Sequence, residues 1–193
     1  QYDDNCRIFW ATGACMFVRS KIFHELGGFD NHFFAHMEEI DLCWRMQNSG
    51  YQIWYCGESN VYHVGGGTLP KHNPKKTYFN FRNNLFLLYK NLPEREFTKL
   101  LFYRRIFDFI AALKFLFSNG KKDFSSVIRA HRDFQRDKKR YEMSIRPTYS
   151  TDLQANNQIY QGSLLFAYYL RGFRKFSDLK GFRQRKKSDA DNL

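Results

Sequence analysis

The dipeptide Asn73-Pro74 divides this chain into two kinds of polypeptide. An asparagine followed by a proline is the pattern of a helix cap and its first-turn residue. The ring fixes φ, and the N–H it lacks is one that the first turn leaves unpaired anyway. Downstream the helical pattern dominates: from Pro74 to about Asn91 before Pro93, then Phe97–Phe117, a stop at Asn119-Gly120, Phe124–Met143, a break at Pro147, and about Ile159–Phe173. Residues 183–193 are polar and charged and read as a disordered tail. Upstream the apolar runs are short and punctuated by glycine. Ile8–Thr12 and Cys15–Arg19 read as buried strand around Gly13, and Ser20 offers an N-cap to a short helix that Gly27-Gly28 ends. Met37 to Asn48 reads as a second helix stopped by Gly50, while Tyr51–Tyr55 and Val61–His63 read as strands. This alternation predicts an α/β layer followed by a mainly α-helical extension. The boundaries expected are 1–92 for the first domain, 93–182 for the extension and 183–193 for the tail.

The charge follows the same division. Residues 1–70 hold 4 Lys/Arg against 8 Asp/Glu, and residues 71–193 hold 27 against 11, so the two parts stand at −4 and +16. Aromatic residues make up 19% of the chain, which excludes global disorder. A mildly acidic first part beside a basic, ring-rich second part suggests chemistry in the former and attachment to something anionic in the latter. The cysteines Cys6, Cys15, Cys43 and Cys56 have neither CxxC nor zinc-site spacing, so a reduced, cytoplasmic setting is expected. Phe97–Phe117 is interrupted by Lys99, Arg104, Arg105, Asp108 and Lys114, which predicts a protein that touches a membrane without crossing it.

Chemistry is carried best by Glu38-Glu39-Ile40-Asp41, a set of carboxylates at a helix start, where exposed backbone N–H groups favour negative charge. The plain alternative is an acidic first turn with Asp41 and Arg45 paired at i,i+4. At about 100° per residue, Glu38 shares a side with Asp41, Arg45 and Asn48, whereas Glu39 lines up with Leu42, Cys43 and Met46. Glu39 therefore stands at the lip of the apolar stripe, where partial desolvation raises a carboxyl pKa and the helix terminus opposes the rise. That combination suits a general base. Glu38 is better suited to orienting a ligand. His63 ends the third expected strand just before Gly65-Gly66-Gly67-Thr68, where backbone could approach a ligand closely; a satisfied core histidine is the alternative. The glycine run has neither the lysine nor the spacing of a phosphate-binding loop. His32 and His36 are spaced i,i+4, but Phe33-Phe34-Ala35 between them reads as loop, which argues against a metal pair.

Taken in order, Thr12-Gly13-Ala14-Cys15-Met16-Phe17-Val18-Arg19, Gly27-Gly28-Phe29-Asp30 with Phe33-Phe34, Glu38-Glu39-Ile40-Asp41-Leu42-Cys43-Trp44-Arg45, Gly50-Tyr51 and Val61-Tyr62-His63-Val64-Gly65 resemble the second half of family-two glycosyltransferases, with the closest likeness to the rhamnosyltransferase-like branch. The resemblance covers about residues 5–91. It implies the C-terminal, acceptor-side half of a GT-A (Rossmann-like) domain that transfers a sugar with inversion from a nucleotide-sugar donor to a hydroxyl of a saccharide or lipid-linked saccharide, in bacterial surface polysaccharide synthesis. In the family the acidic pair is usually Glu-Asp and its second member is the catalytic base, a position held here by Glu39. The resemblance further implies catalytic roles for Glu38 and Asp41 beside Glu39, substrate contacts from Arg45, Arg82 and Asn83, with a solvated helix face as the alternative for the last two, and a divalent metal, Mn²⁺ or Mg²⁺, with His63 as one ligand. The nucleotide-binding strands and Asp-x-Asp motif of the family's first half have no counterpart in these residues. The resemblance therefore makes that half a missing partner, without which this segment is expected to be inactive and prone to self-association.

The second expected attachment is to an anionic membrane surface, peripherally on the cytoplasmic face. On a helical wheel Leu100, Phe102, Tyr103, Ile106, Phe107, Phe109, Ile110, Leu113 and Leu116 form one broad face, opposite Arg104, Arg105 and Asp108. Basic clusters at Lys138-Lys139-Arg140 and Arg183–Lys187 would add attraction to anionic lipid. The alternative is that this face packs on the helix Phe124–Met143 or on the first domain. A nucleic-acid-binding basic module and a non-catalytic adaptor are the rival functions. No nucleic-acid motif supports the first, so no nucleic acid is expected as partner.

Overall fold

A computed structural model describes residues 4–63, 73–118, 120–142, 160, 162–175 and 178–179, the side chains of 140–142 excepted. In chain order the elements are β1 (Cys6–Ile8), α1 (Ser20–Glu25), a 3-10 turn (Asn31–Phe33), α2 (Glu38–Asn48), β2 (Ile53–Tyr55), α3 (Pro74–Asn91), α4 (Glu94–Ser118), α5 (Lys121–Glu142) and α6 (Leu164–Tyr169).

The described protein is mainly helical, which corrects the balance of the α/β expectation. Its sheet has two antiparallel strands, with Cys6 opposite Tyr55, Arg7 opposite Trp54 and Ile8 opposite Ile53. The strand expected at Ile8–Thr12 lies earlier, and Cys15–Arg19 and Val61–His63 are irregular. A short apolar run becomes a strand only when another backbone pairs with it. Val61 and Tyr62 instead stand exposed, Tyr62 at 99%. Ser20 is the first residue of α1 rather than its cap: Arg19 holds the cap position and caps nothing with its side chain. The helix expected over Ile159–Phe173 is confined to Leu164–Tyr169, opened by Ser163, whose Oγ accepts from Phe166 N, and followed by Gly172 at φ +69°. Pro147, Gly65–Thr68, Arg183–Lys187 and the 183–193 tail lie outside the described residues.

The long helices follow the sequence pattern closely. Asn73 caps α3 by accepting from Lys75 N at 2.9 Å, with Pro74 in the first turn. Gly28 ends the α1 region at φ +65°, and a Cβ there would come within 2.9 Å of the Phe23 ring, so both space and backbone require glycine.

Helix α2 stands between two cores. Leu42, Cys43 and Met46 meet Ile53 on the sheet side, with Ile8, Val18 and Ile22 packed around them. Trp44 faces the larger core of Phe33 from the 3-10 turn and Leu85, Phe86, Tyr89, Phe97, Leu101 and Phe134 from α3, α4 and α5. Ring contacts tie this core together: Phe86 to Phe134 and Tyr89 to Phe97 each stand 5.0 Å apart in edge-on geometry.

Helix α4 is turned opposite to the simplest expectation for a helix with one apolar face. Its stripe Phe97, Leu101, Asp108 and Ala112 is buried, while Phe102, Tyr103, Ile106, Phe109 and Ile110 are exposed. Asp108 accounts for the choice: its carboxylate accepts from His131 Nε2 of α5 at 2.9 Å and pairs with Arg104 at 3.0 Å. The stripe that holds Asp108 thus faces α5, and the apolar residues of the other face stay exposed.

Candidate functional site

The site is built where α2 begins. Helices normally open on a capping side chain, but Met37 at the cap position supplies none and adopts the left-handed conformation, φ 78°. His36 (φ 70°) and Phe34 (φ 43°) also have positive φ. Left-handed backbone in non-glycine residues costs about 1–3 kcal/mol each, so the surroundings must hold it. Asn83 of α3 does so. Its fully buried amide nitrogen lies 2.8 Å from the carbonyl oxygens of Phe33 and Ala35 and 2.9 Å from that of His36. Arg82 extends the clamp by donating to His32 O at 3.1 Å and to Asn83 Oδ1 at 3.0 Å, its guanidinium lying over the Phe86 ring.

This turn brings His36, Glu38 and Glu39 to the start of α2. Glu39 is half-buried, and one of its carboxylate oxygens is buried without a hydrogen-bond partner. Burial pushes its pKa above the ordinary glutamate value; a bond from its own backbone N–H opposes the rise, and the neighbouring Glu38 charge adds to it. Glu38 and His36 each also carry a buried, unpartnered atom, Oε2 and Nε2. The His36 pKa is pushed down, first by burial and then by Lys76, against the pull of Glu38. The Thr12–Cys15 turn passes beside these groups, close enough that a Cβ on Gly13 would lie 4.0 Å from Glu39 Cβ. Unpaired polar atoms in a native fold ask for a ligand or a proton-transfer role, and a carboxyl with a raised pKa suits the second.

Asp41 belongs to a different arrangement. It is fully buried and accepts from Arg45 Nε at 2.8 Å, Lys90 Nζ at 2.9 Å and Asn91 Nδ2 at 3.0 Å. Lys90 also reaches Asp30 at 2.8 Å, and Arg45 donates to the carbonyls of Leu26 and Gly28. Two carboxylates and two cations therefore balance in a closed network that fastens the Gly28–Asp30 loop to α2 and α3. In this arrangement Asp41, Arg45 and Asn83 have no surface to offer a substrate; they hold the frame behind Glu38 and Glu39. Lys90 and Asn91 carry no mark in the motifs. The available signal was a lysine in line with Asn83, Phe86 and Leu87 on the buried stripe of α3.

His63 lies exposed in an irregular segment. Among the described residues no three His, Cys, Asp or Glu side chains gather into a candidate metal centre. His32 is taken up elsewhere, its Nδ1 3.0 Å from Asp30. An open apolar groove of about 880 Å³ lies beside the sheet, lined by Trp10, Phe17, Cys43, Met46 and Trp54. It meets α2 one turn beyond Glu39, which is not in its wall. Burial pushes the Cys43 thiol pKa up, which argues against a nucleophile there. All four cysteines are free.

No family model and no solved structure matches the chain. Curated proteins do. Over 54 residues it is 37% identical to an N-acetylglucosaminyl-diphospho-decaprenol L-rhamnosyltransferase of Mycobacterium tuberculosis, covering 28% of this chain and 18% of that protein. It is 28% identical over 89 residues to the rhamnosyltransferase WbbL of Escherichia coli, 45% of this chain and 31% of the relative. A low-salt glycan biosynthesis hexosyltransferase of Haloferax volcanii matches at 24% over 95 residues. The matches span between about a fifth and a third of the relatives' length. The distant, partial relatives of this chain are thus glycosyltransferases, of rhamnose and of hexose.

Proposed function

We propose that this chain is the acceptor-side part of an inverting glycosyltransferase of glycan assembly, with Glu39 as its general base. The observation that carries the reading is the half-buried Glu39 carboxylate, with its raised pKa and an unpartnered oxygen at the start of α2. As the acceptor hydroxyl oxygen forms its bond to the anomeric carbon of the donor, Glu39 takes the hydroxyl proton. The bond from that carbon to the nucleotide diphosphate breaks on the opposite face, and the diphosphate leaves with the electron pair. A base raised above its ordinary pKa is a stronger proton acceptor than a solvated glutamate. Glu38 adjusts that basicity by its charge, and the Asn83 clamp fixes where the carboxylate stands. The names of the partial relatives support sugar transfer, and one of them carries a polyprenyl diphosphate acceptor in its name, which favours a lipid-linked saccharide here.

The test is Glu39→Gln in the protein that carries this chain, assayed with nucleotide-sugar donors. General-base removal costs about 10²–10⁴-fold in turnover, and nucleotide-sugar affinity should stay within about twofold because the base touches the acceptor. Turnover equal to that of the unsubstituted protein would overturn the assignment.

A further inference from the structure

We propose that the outward face of α4 is a docking surface for an anionic lipid bilayer, on which the helix lies in the interfacial plane. The inference stands apart from the chemistry assigned to Glu39. Both sides of α4 carry apolar residues. A helix that only had to cover the domain would carry one apolar stripe, and α4 already spends Phe97, Leu101 and Ala112 on that task. Phe102, Tyr103, Ile106, Phe109, Ile110 and Phe117 point away from it, Phe102 at 62% and Phe117 at 87% exposure. From Phe102 to Phe117 the helix rises about 22 Å, so the exposed side chains form one continuous strip.

Charge selects the occupant. Between Phe97 and Ser118 the one acidic residue is Asp108, which is buried and held by Arg104 and His131. The exposed charges on this length are Lys99, Arg105 and Lys114. By the 100° step, Lys99 falls at one end of the apolar face and Arg105 and Lys114 on its two flanks. Long cationic side chains at the rim of an apolar face can lay their methylenes along it and reach lipid headgroups, where each adds attraction to an anionic surface. A second copy of this chain would bring the same cations against each other, which disfavours a symmetric pairing through this face. No helix of the described residues is long and apolar enough to cross a membrane, so the contact is along the surface.

Flotation of the whole chain with vesicles tests this, comparing phosphatidylcholine alone with phosphatidylcholine containing about a third phosphatidylserine. Recovery with the anionic vesicles is expected to exceed that with neutral ones at least tenfold and to fall as salt rises. Phe102→Ser with Ile110→Ser should reduce recovery about tenfold or more while far-ultraviolet circular dichroism stays unchanged. Lys99→Glu with Lys114→Glu should abolish the preference for anionic vesicles. Failure to float with either vesicle overturns the proposal. So does equal flotation of the serine variant, or sedimentation showing that the serine substitutions dissolve a dimer.

Discussion

The side-chain amide of Asn83 donates to the main-chain carbonyl of Ala35 at 2.8 Å, joining α3 to the left-handed turn that opens α2 across 48 residues of sequence. The same nitrogen serves the carbonyls of Phe33 and His36. A single polar side chain thereby holds a backbone conformation that Phe34, His36 and Met37 would not adopt unaided. Asn83→Ala leaves those carbonyls without their donor and should cost about 1–3 kcal/mol of stability in urea denaturation. Hydrogen exchange should show residues 34–40 losing protection ahead of the rest of α2 and α3. Asn83→Asp preserves the shape but removes both donors, and should be at least as damaging.

Breaking the buried ionic network should cost more. Asp41→Asn removes the charge that neutralises Arg45 and Lys90, both nearly excluded from solvent. An uncompensated buried cation costs about 3–5 kcal/mol. Lys90→Met should be similarly damaging, since it removes the cation that Asp30 and Asp41 share. The double variant should be less unstable than the sum of the two single ones, which a denaturation cycle measures directly.

Carbon-13 carboxyl titration should find the Glu39 midpoint above the ordinary glutamate value and lower in Glu38→Gln, because the Glu38 charge helps to raise it. A carboxyl whose folded pKa lies above its unfolded pKa favours the folded state while protonated. Its contribution therefore falls as pH rises from the unfolded toward the folded value. Glu39→Gln should remove that slope. An acid limb in the rate profile of the carrying protein, rising with pH through the same midpoint, would join the titration to turnover.

His36 titrates in the opposite sense. Its folded pKa lies below the ordinary histidine value, so the fold favours the neutral ring, and stability should decrease as pH falls through the unfolded pKa toward the folded one. Lys76→Gln should raise the His36 midpoint and Glu38→Gln should lower it further, as proton nuclear magnetic resonance of the ring would detect. Equal midpoints in all three proteins would mean that these charges do not act on the ring.

Asp108→Ala removes the carboxylate that links α4 to α5. The loss of its bonds to His131 and Arg104 should cost about 1–3 kcal/mol in thermal or urea unfolding. His131→Ala should cost less, because Arg104 remains as a partner for Asp108.

The sequence by itself determined the local events. Asn73-Pro74 started α3, Gly50 followed the end of α2, and Asp41 and Arg45 paired one turn apart, because each depends on residues within a turn of one another. The 100° step also set Glu39 apart from Glu38, and burial does raise the Glu39 pKa. Tertiary structure decided what needs distant partners. Val61–His63 had strand composition but found no strand to pair with among the described residues. Lys90 met Asp30 and Asp41 from 60 and 49 positions away, which no local pattern encodes. Asn83, which the family likeness assigned to the substrate, became a clamp when α3 packed against the turn at 33–36. The face α4 would bury was likewise fixed by Asp108 meeting His131, since a helix with apolar residues on both sides carries no local instruction about which side turns inward. Local geometry is set by steric and hydrogen-bonding rules acting within a few residues, whereas the partner of a buried charge is known only once the chain has closed around it.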